Sequence, residues 1–302
     1  MTPAIASIIS VAITSSTPIA LAGMGGIFGE RAGVTNIGLE GTMLFSAYFA
    51  AVTSYFTNNP WIGLAVGIII GIAVSYLHAF LCLEVKINQI VSGLAINILA
   101  SNMTIFLMSY MIGTKGTTPS LPKLPGITIA GLSDLPSAGV IFTNISFITL
   151  LLPVVCFVAY YLLYKTDFGL HVIASGENPK AAHSLGINVK RTQYISVLIG
   201  GFCCGLAGSF LSISYLGMFI KDMTANRGFI AIATILVGRY NPALVLAAGF
   251  LFGFAEALQI GMQGIINIPI ELIQCIPYVL TIVVVVISAM NYRKNSIRIS
   301  NL

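Results

Sequence analysis

The sequence predicts an all-α, polytopic integral membrane protein of about eight to ten transmembrane helices, with broken or re-entrant segments among them. Three observations predict it. Of 302 residues, 57% are hydrophobic and only 8% charged, with a mean hydropathy of +0.97, whereas soluble domains are about a quarter charged. The apolar residues fall into runs of about 20, the length that crosses a hydrocarbon core of about 30 Å. Glycine, proline and amide side chains interrupt several of these runs, a pattern lipid tolerates only where the chain faces protein or water.

Charge and cysteine content exclude other classes. The formal charge of +5 is spread over the ends of apolar runs rather than gathered in a block, so it reports topology and not nucleic-acid binding. Cys82, Cys156, Cys203, Cys204 and Cys275 lie in or beside apolar runs without metal-ligand spacing, and are expected to be small buried hydrophobes. The N-terminus has no signal-peptide pattern, so the first apolar run, residues 4–28, is expected to remain as the first span. Its centre, Thr14 to Pro18, is polar and is expected to face other helices or a water-filled path.

The next stretch, Gly29 to Gly41, holds four glycines with Asn36 and Glu40, and makes a poor continuous helix. An intramembrane carboxylate costs roughly 2.5–3.5 kcal/mol on insertion scales, so Glu40 needs a partner or a task. A third span runs over 62–83. The fourth opens at Ile87, and Gln89, Ser92, Gly93 and Asn97 fall on one stripe of it. Such amides serve either as interhelical hydrogen bonds or as substrate contacts.

Residues 113–142 form a long loop rich in Pro, Gly, Thr and Ser, and 143–164 span again. Loop 165–191 carries Lys165, Lys180, Lys190 and Arg191. With Arg293, Lys294 and Arg298 near the end, the positive-inside rule places that loop and the C-terminus in the cytoplasm and the N-terminus outside. Within the loop, Asn178 is expected to cap a short helix with Pro179 at its first position and Gly186 as a left-handed stop. Ala181, Ala182 and Leu185 share one face of it by spacing and make a shallow docking knob. Span 192–216 has Gly200, Gly201, Gly205 and Gly208 spaced for close packing. Residues 229–237 are too short for a full crossing and suit a half-helix or re-entrant piece. Two last spans cover 243–263, bearing Glu256 and Gln259, and 270–290. We expect a single membrane domain over 1–302, with the cytoplasmic loop 165–191.

Catalytic motifs are missing from the sequence. It has no Gly-Lys dipeptide and therefore no phosphate-binding loop of that type, no His-Glu-x-x-His, and no Gly-x-Ser-x-Gly. The chain reads as a pore without its own engine, not an enzyme. An ion-coupled secondary transporter is the competing class.

Four ordered stretches, Gly29–Gly41, Asn88–Asn97, Gly176–Gly186 and Met223–Ala231 with Asn241-Pro242, resemble the permease subunits of bacterial ABC importers. The similarity is to the branched-chain amino acid and simple sugar permease family, nearest its nucleoside-uptake branch. The resemblance implies an ABC importer permease fold in the bacterial cytoplasmic membrane and alternating access driven by a separate ATP-binding subunit. It also implies a second permease in a heterodimer and an extracellular substrate-binding lipoprotein. No cofactor is implied for this chain; ATP is used by the partner. Glu177, Asn178, Pro179, Ala181, Ala182, Leu185 and Gly186 then fall in the coupling helix that meets the ATPase. Asn36, Glu40, Gln89, Asn97 and Glu256 are candidates for the translocation path. Riboflavin, ribose-like sugars or amino acids are the alternative substrates.

Overall fold

A computed structural model describes residues 3–114, 116–128, 139, 143–262, 279, 282, 283 and 286. Most of the expected span 270–290, Cys275, Lys115, Asp134 and the basic residues Arg293, Lys294 and Arg298 lie outside the described residues.

Helix α1 runs from Pro3 to Arg31 without a break, although Pro18 lies inside it. Proline cannot donate to the carbonyl four residues earlier. Two hydroxyls near it bond back into the helix: Thr14 Oγ1 donates to the Ser10 carbonyl and Thr17 Oγ1 to that of Ile13, both at 2.9 Å. Ser15, Ser16 and Thr17 are buried against other helices. The chain then breaks over residues 32–38, turning at Gly33 with φ +79°, and α2 covers Leu39–Thr57.

Side-chain caps start the next helices. Asn59 Oδ1 accepts from Trp61 N at 2.9 Å and Pro60 opens α3, Pro60–Leu83. Asn88 Oδ1 accepts from Ile90 N to open α4, Gln89–Met111. A two-residue antiparallel pair, β1 at Gly126–Ile127 and β2 at Ile145–Ser146, precedes α5, Phe147–Lys165, whose cap is Ser146. Thr166 then caps α6, Asp167–Glu177, inside what the sequence presented only as a loop. Helix α7 is Pro179–Ser184, and α8 is Val189–Ser209, continued by a π-helical stretch Phe210–Leu216. Helix α9 is Arg227–Val237 and α10 is Pro242–Met262.

Among the described residues, six helices are long and apolar enough to cross a membrane, and α2 is enclosed by them, with Met43, Ala47 and Tyr48 fully buried. Missing side chains let the backbones meet. A Cβ on Gly201 would lie 2.6 Å from the Gly71 carbonyl oxygen, and one on Gly208 would lie 2.1 Å from that of Met43. Such small-residue seams are how membrane helices gain van der Waals contact where lipid gives no hydrophobic drive.

Hydrogen bonds define the two ends of the bundle. Lys190 pairs with Glu84 at 3.0 Å, Gln193 Nε2 donates to the Ala32 carbonyl at 3.0 Å, and Tyr164 Oη donates to that of Tyr240 at 3.4 Å. These gather the basic loop, the turn after α1 and the start of α10 at one end, the one that the positive-inside rule leads us to expect in the cytoplasm. At the other, Thr117 bridges Ile220. Residues 217–237 therefore traverse the bundle in two parts, an irregular outer half and then α9. Eleven residues of helix rise about 16 Å, half a bilayer core. The short apolar run is a half-helix within a broken crossing, not a re-entrant hairpin.

Gly201→Leu is expected to cost about 1–3 kcal/mol through overpacking against Gly71 and Ser75. Gly116→Ala, where an added Cβ meets nothing within 4 Å, is expected to be neutral. Thermal unfolding of the detergent-solubilised protein measures both.

Candidate functional site

Two features stand out: a charged set inside the bundle and the capped knob at its basic end. Glu40 lies in the first turn of α2. Next to it, Gly41 N donates to Asn97 Oδ1 at 2.8 Å, and Asn97 is about 12 Å along α4 from Gln89 at 1.5 Å per residue, which sets Glu40 well inside the bundle. Its two carboxylate oxygens accept from the backbone N–H of Asn226 at 2.9 Å and of Gly228 at 2.6 Å. Those are the amides that begin α9, the positive end of its dipole. The carboxylate that needed a partner has a helix N-terminus.

Gly228 permits that approach. A Cβ there would sit 2.4 Å from Glu40 N and 2.5 Å from its Cα. Beside it, the Arg227 guanidinium forms an ion pair with Glu256 of α10. It also donates to the carbonyls of Met223 at 3.1 Å and Thr224 at 3.4 Å. Both charges are largely withdrawn from solvent, their side chains 12% and 17% exposed.

The other path candidates sit along the turn between α1 and α2. Asn36 is buried, its Oδ1 accepting from Gly38 N at 2.9 Å. Gln89 accepts from Thr35 N at 2.8 Å and donates to the Gly33 carbonyl at 3.2 Å. Asn97 donates to that of Ile37 at 3.1 Å. Thus Gln89 and Asn97 tie α4 to residues 33–41, Asn36 closes the turn itself, and Glu40 joins it to α9. Glu256 stands apart, on Arg227. His78 also holds the turn, with Nε2 donating to the Thr35 carbonyl at 3.2 Å and Nδ1 accepting from Ser92 at 3.0 Å.

Sequence reasoning missed Arg227 and the amides of Asn226 and Gly228. Their signal was present: Asn-Arg-Gly before an apolar run too short to cross is a half-helix start with a cation. Gly176 was missed too. A Cβ there would lie 2.0 Å from the Arg31 carbonyl oxygen, so the end of α6 rests on the turn after α1. Arg31 in turn lies over the Tyr240 ring at 5.1 Å, just past the end of α9.

At the knob, Asn178 Oδ1 accepts from Ala181 N at 3.1 Å, Pro179 takes the first helical position, and Gly186 has φ +83°. Glu177, Ala181 and Leu185 are exposed, Leu185 by 81%. The shared face expected for Ala181, Ala182 and Leu185 is not formed. Ala182 is 1% exposed and turns into the protein, because α7 is a single short helix packed along one side, and Leu185 already lies beyond its last turn.

A helical membrane protein with its charges and amides spent inside the bundle, a half-helix crossing and a capped projection at its basic end is of the transport-permease class. The sequence matches the family described as branched-chain amino acid transport system, permease component, over residues 8–285, and the chain belongs to it. It is 33% identical to the guanosine ABC transporter permease protein NupQ of Bacillus subtilis, covering 91% of this chain and 89% of that one. It is 35% identical to the nucleoside ABC transporter permease protein NupC of Lactococcus lactis, covering 89% and 88%. A Haloferax volcanii ABC permease named for glucose, TsgC13, is 36% identical over 86% of this chain and 79% of its own.

Losing one member of the mid-membrane ion pair leaves the other charge buried. Glu256→Ala is expected to cost about 3–5 kcal/mol, while the paired Arg227→Met, Glu256→Leu is expected to regain most of it. Folded yield and unfolding midpoint of the three proteins read this out.

Proposed function

We propose that this chain is the membrane-spanning subunit of an ABC importer for nucleosides in a bacterial cytoplasmic membrane. It works with a separate ATP-binding subunit, a second, partner permease and an extracellular substrate-binding protein. The observation that carries the reading is the helix Pro179–Ser184, capped at both ends and projecting Leu185 from the basic end of the bundle, in a chain without a phosphate-binding loop. An exposed leucine on a fixed helix suits a hydrophobic groove in a partner protein.

The mechanism follows from the packing. Closure of the ATPase pair displaces α7, and α6 passes that displacement through Gly176 to the turn holding Glu40. The turn in turn holds α9 at both ends, through Glu40 and through Arg31 on Tyr240. Alternating access is then a movement of this unit against the remaining helices. In this reading Asn36, Gln89 and Asn97 shape the moving turn, and Glu40 and Glu256 set the half-helix beside the path.

The nucleoside assignment is supported by the two nucleoside-named relatives, and the glucose-named relative supplies the competing substrate. The complex is reconstituted in proteoliposomes and given labelled guanosine, uridine, riboflavin and glucose with and without ATP. ATP-dependent guanosine or uridine uptake is expected; uptake of glucose or riboflavin alone overturns the substrate, and uptake without ATP overturns the importer class. Leu185→Asp is expected to lower ATPase co-purification and uptake at least tenfold at equal membrane abundance.

A further inference from the structure

At the end of the bundle opposite the coupling helix, a cavity of about 360 Å³ opens between α1, the β2–α5 junction and the π-helical stretch. Its volume is within the range of about 300–1,000 Å³ found for small-molecule sites. We propose that this cavity is the outer substrate subsite of the permease, recognising a polyhydroxylated ligand with a flat ring and no positive charge: the ribose and base of a nucleoside. The proposal rests on the nucleoside-importer reading above.

Hydroxyls from three separate elements converge on the cavity. Thr14 comes from α1, Ser146 and Thr149 from the start of α5, and Ser214 and Tyr215 from the π-helical stretch. Ser146 Oγ and Ser214 Oγ lie 2.8 Å apart and share one hydrogen bond. Thr149 Oγ1 is 3.2 Å from Thr17 Oγ1, and Thr14 Oγ1 spends its proton on the Ser10 carbonyl. A hydroxyl carries one donor and two acceptor lone pairs, so hydroxyls engaged in this way still accept, and the pairs can re-orient to donate. That suits a ligand whose own groups are hydroxyls.

Charge narrows the class further. No carboxylate is among the described lining residues, which removes the usual means of holding a cation. The cation among the same described residues, Lys123, gives one N–H to the Tyr215 carbonyl at 3.3 Å and keeps further donors for oxygen acceptors of a ligand, so the site suits an oxygen-rich ligand without positive charge. The aromatic component is a stacked pair: the Tyr215 and Phe210 rings lie 6.3 Å apart and 11° from parallel. Both line the cavity, giving a flat surface beside the hydroxyls.

The backbone accounts for this convergence. A π-helical turn is wider than an α-helical one and re-aims the side chains that follow it. Here seven residues of it close α8 and bring Ser214 and Tyr215 to the wall. Ser146 is fixed from the other side because its hydroxyl also accepts from Ile148 N at the start of α5. Hydroxyls held this way lose little freedom when a ligand binds.

The test uses the reconstituted complex and compares guanosine with its 2′-deoxy and 3′-deoxy analogues in Thr149→Val and Ser214→Ala. Each variant is expected to raise the KM for guanosine about fivefold, the value of one neutral hydrogen bond. The deoxy analogue lacking the matching hydroxyl should change less than twofold, so the ribose preference shrinks. Thr149→Ser is expected to restore it. In parallel, Ser214→Cys is treated with a membrane-impermeant thiol reagent, and saturating guanosine is expected to slow its modification several-fold. Guanosine uptake with an unchanged KM and unchanged ribose preference in both variants overturns the subsite, as does full reactivity of the Ser214→Cys protein under saturating guanosine. A wild-type complex that carries no nucleoside defeats the functional reading itself, and the subsite with it.

Discussion

A carboxylate bound to the first amides of a helix inside the membrane is the interaction on which the rest of this structure depends. A helix that starts at mid-depth exposes N–H groups that lipid cannot satisfy. Glu40 supplies two acceptors, to Asn226 at 2.9 Å and Gly228 at 2.6 Å, and its charge meets the positive end of the dipole. In the same contact, the partial burial of Glu40 is offset by charge-assisted hydrogen bonds. The irregular segment before α9 and the α1–α2 turn that carries Glu40 each make the other possible.

That contact is one link in a continuous chain of packed groups. The capped helix α7 follows α6 directly, and Gly176 at the end of α6 meets the Arg31 carbonyl. Arg31 lies over Tyr240 beyond one end of α9, and Glu40 holds the other. Gln89, Asn97 and His78 bind the turn between them to α4 and α3. The half-helix is thus gripped at both ends by the residues that flank a single turn, Arg31 closing α1 and Glu40 opening α2, and the end of α6 rests on that turn. Such contacts suit a unit that would move as a body, which is what the proposed conversion of a displacement at one face of the membrane into opening at the other requires.

The sequence carried much of this fold because its strongest signals are local. Runs of apolar residues gave the spans, and Asn178, Pro179 and Gly186 gave the short helix together with its cap, first residue and stop. The glycines and Asn36 gave the break between α1 and α2. What stayed hidden was non-local. Nothing next to Glu40 in the chain reveals that its partners are amides near residue 227, and Arg227 looks like a loop cation until Glu256 is brought beside it. Ala182 and Leu185 share a spacing that suits one face, yet α7 is too short to keep both on it. The π-helical closure of α8, which has no composition of its own, was illegible for the same reason.

The central claim is that Glu40 holds the start of the half-helix, and amide hydrogen exchange tests it most directly. In lipid nanodiscs, residues 226–237 are followed in the wild-type protein and in Glu40→Ala. Loss of bonds worth about 1.5–3 kcal/mol is expected to speed exchange at the first turn of α9 about tenfold to a hundredfold, with the packed core of α2 and α8 unchanged. Equal protection of that turn in the two proteins would contradict the account.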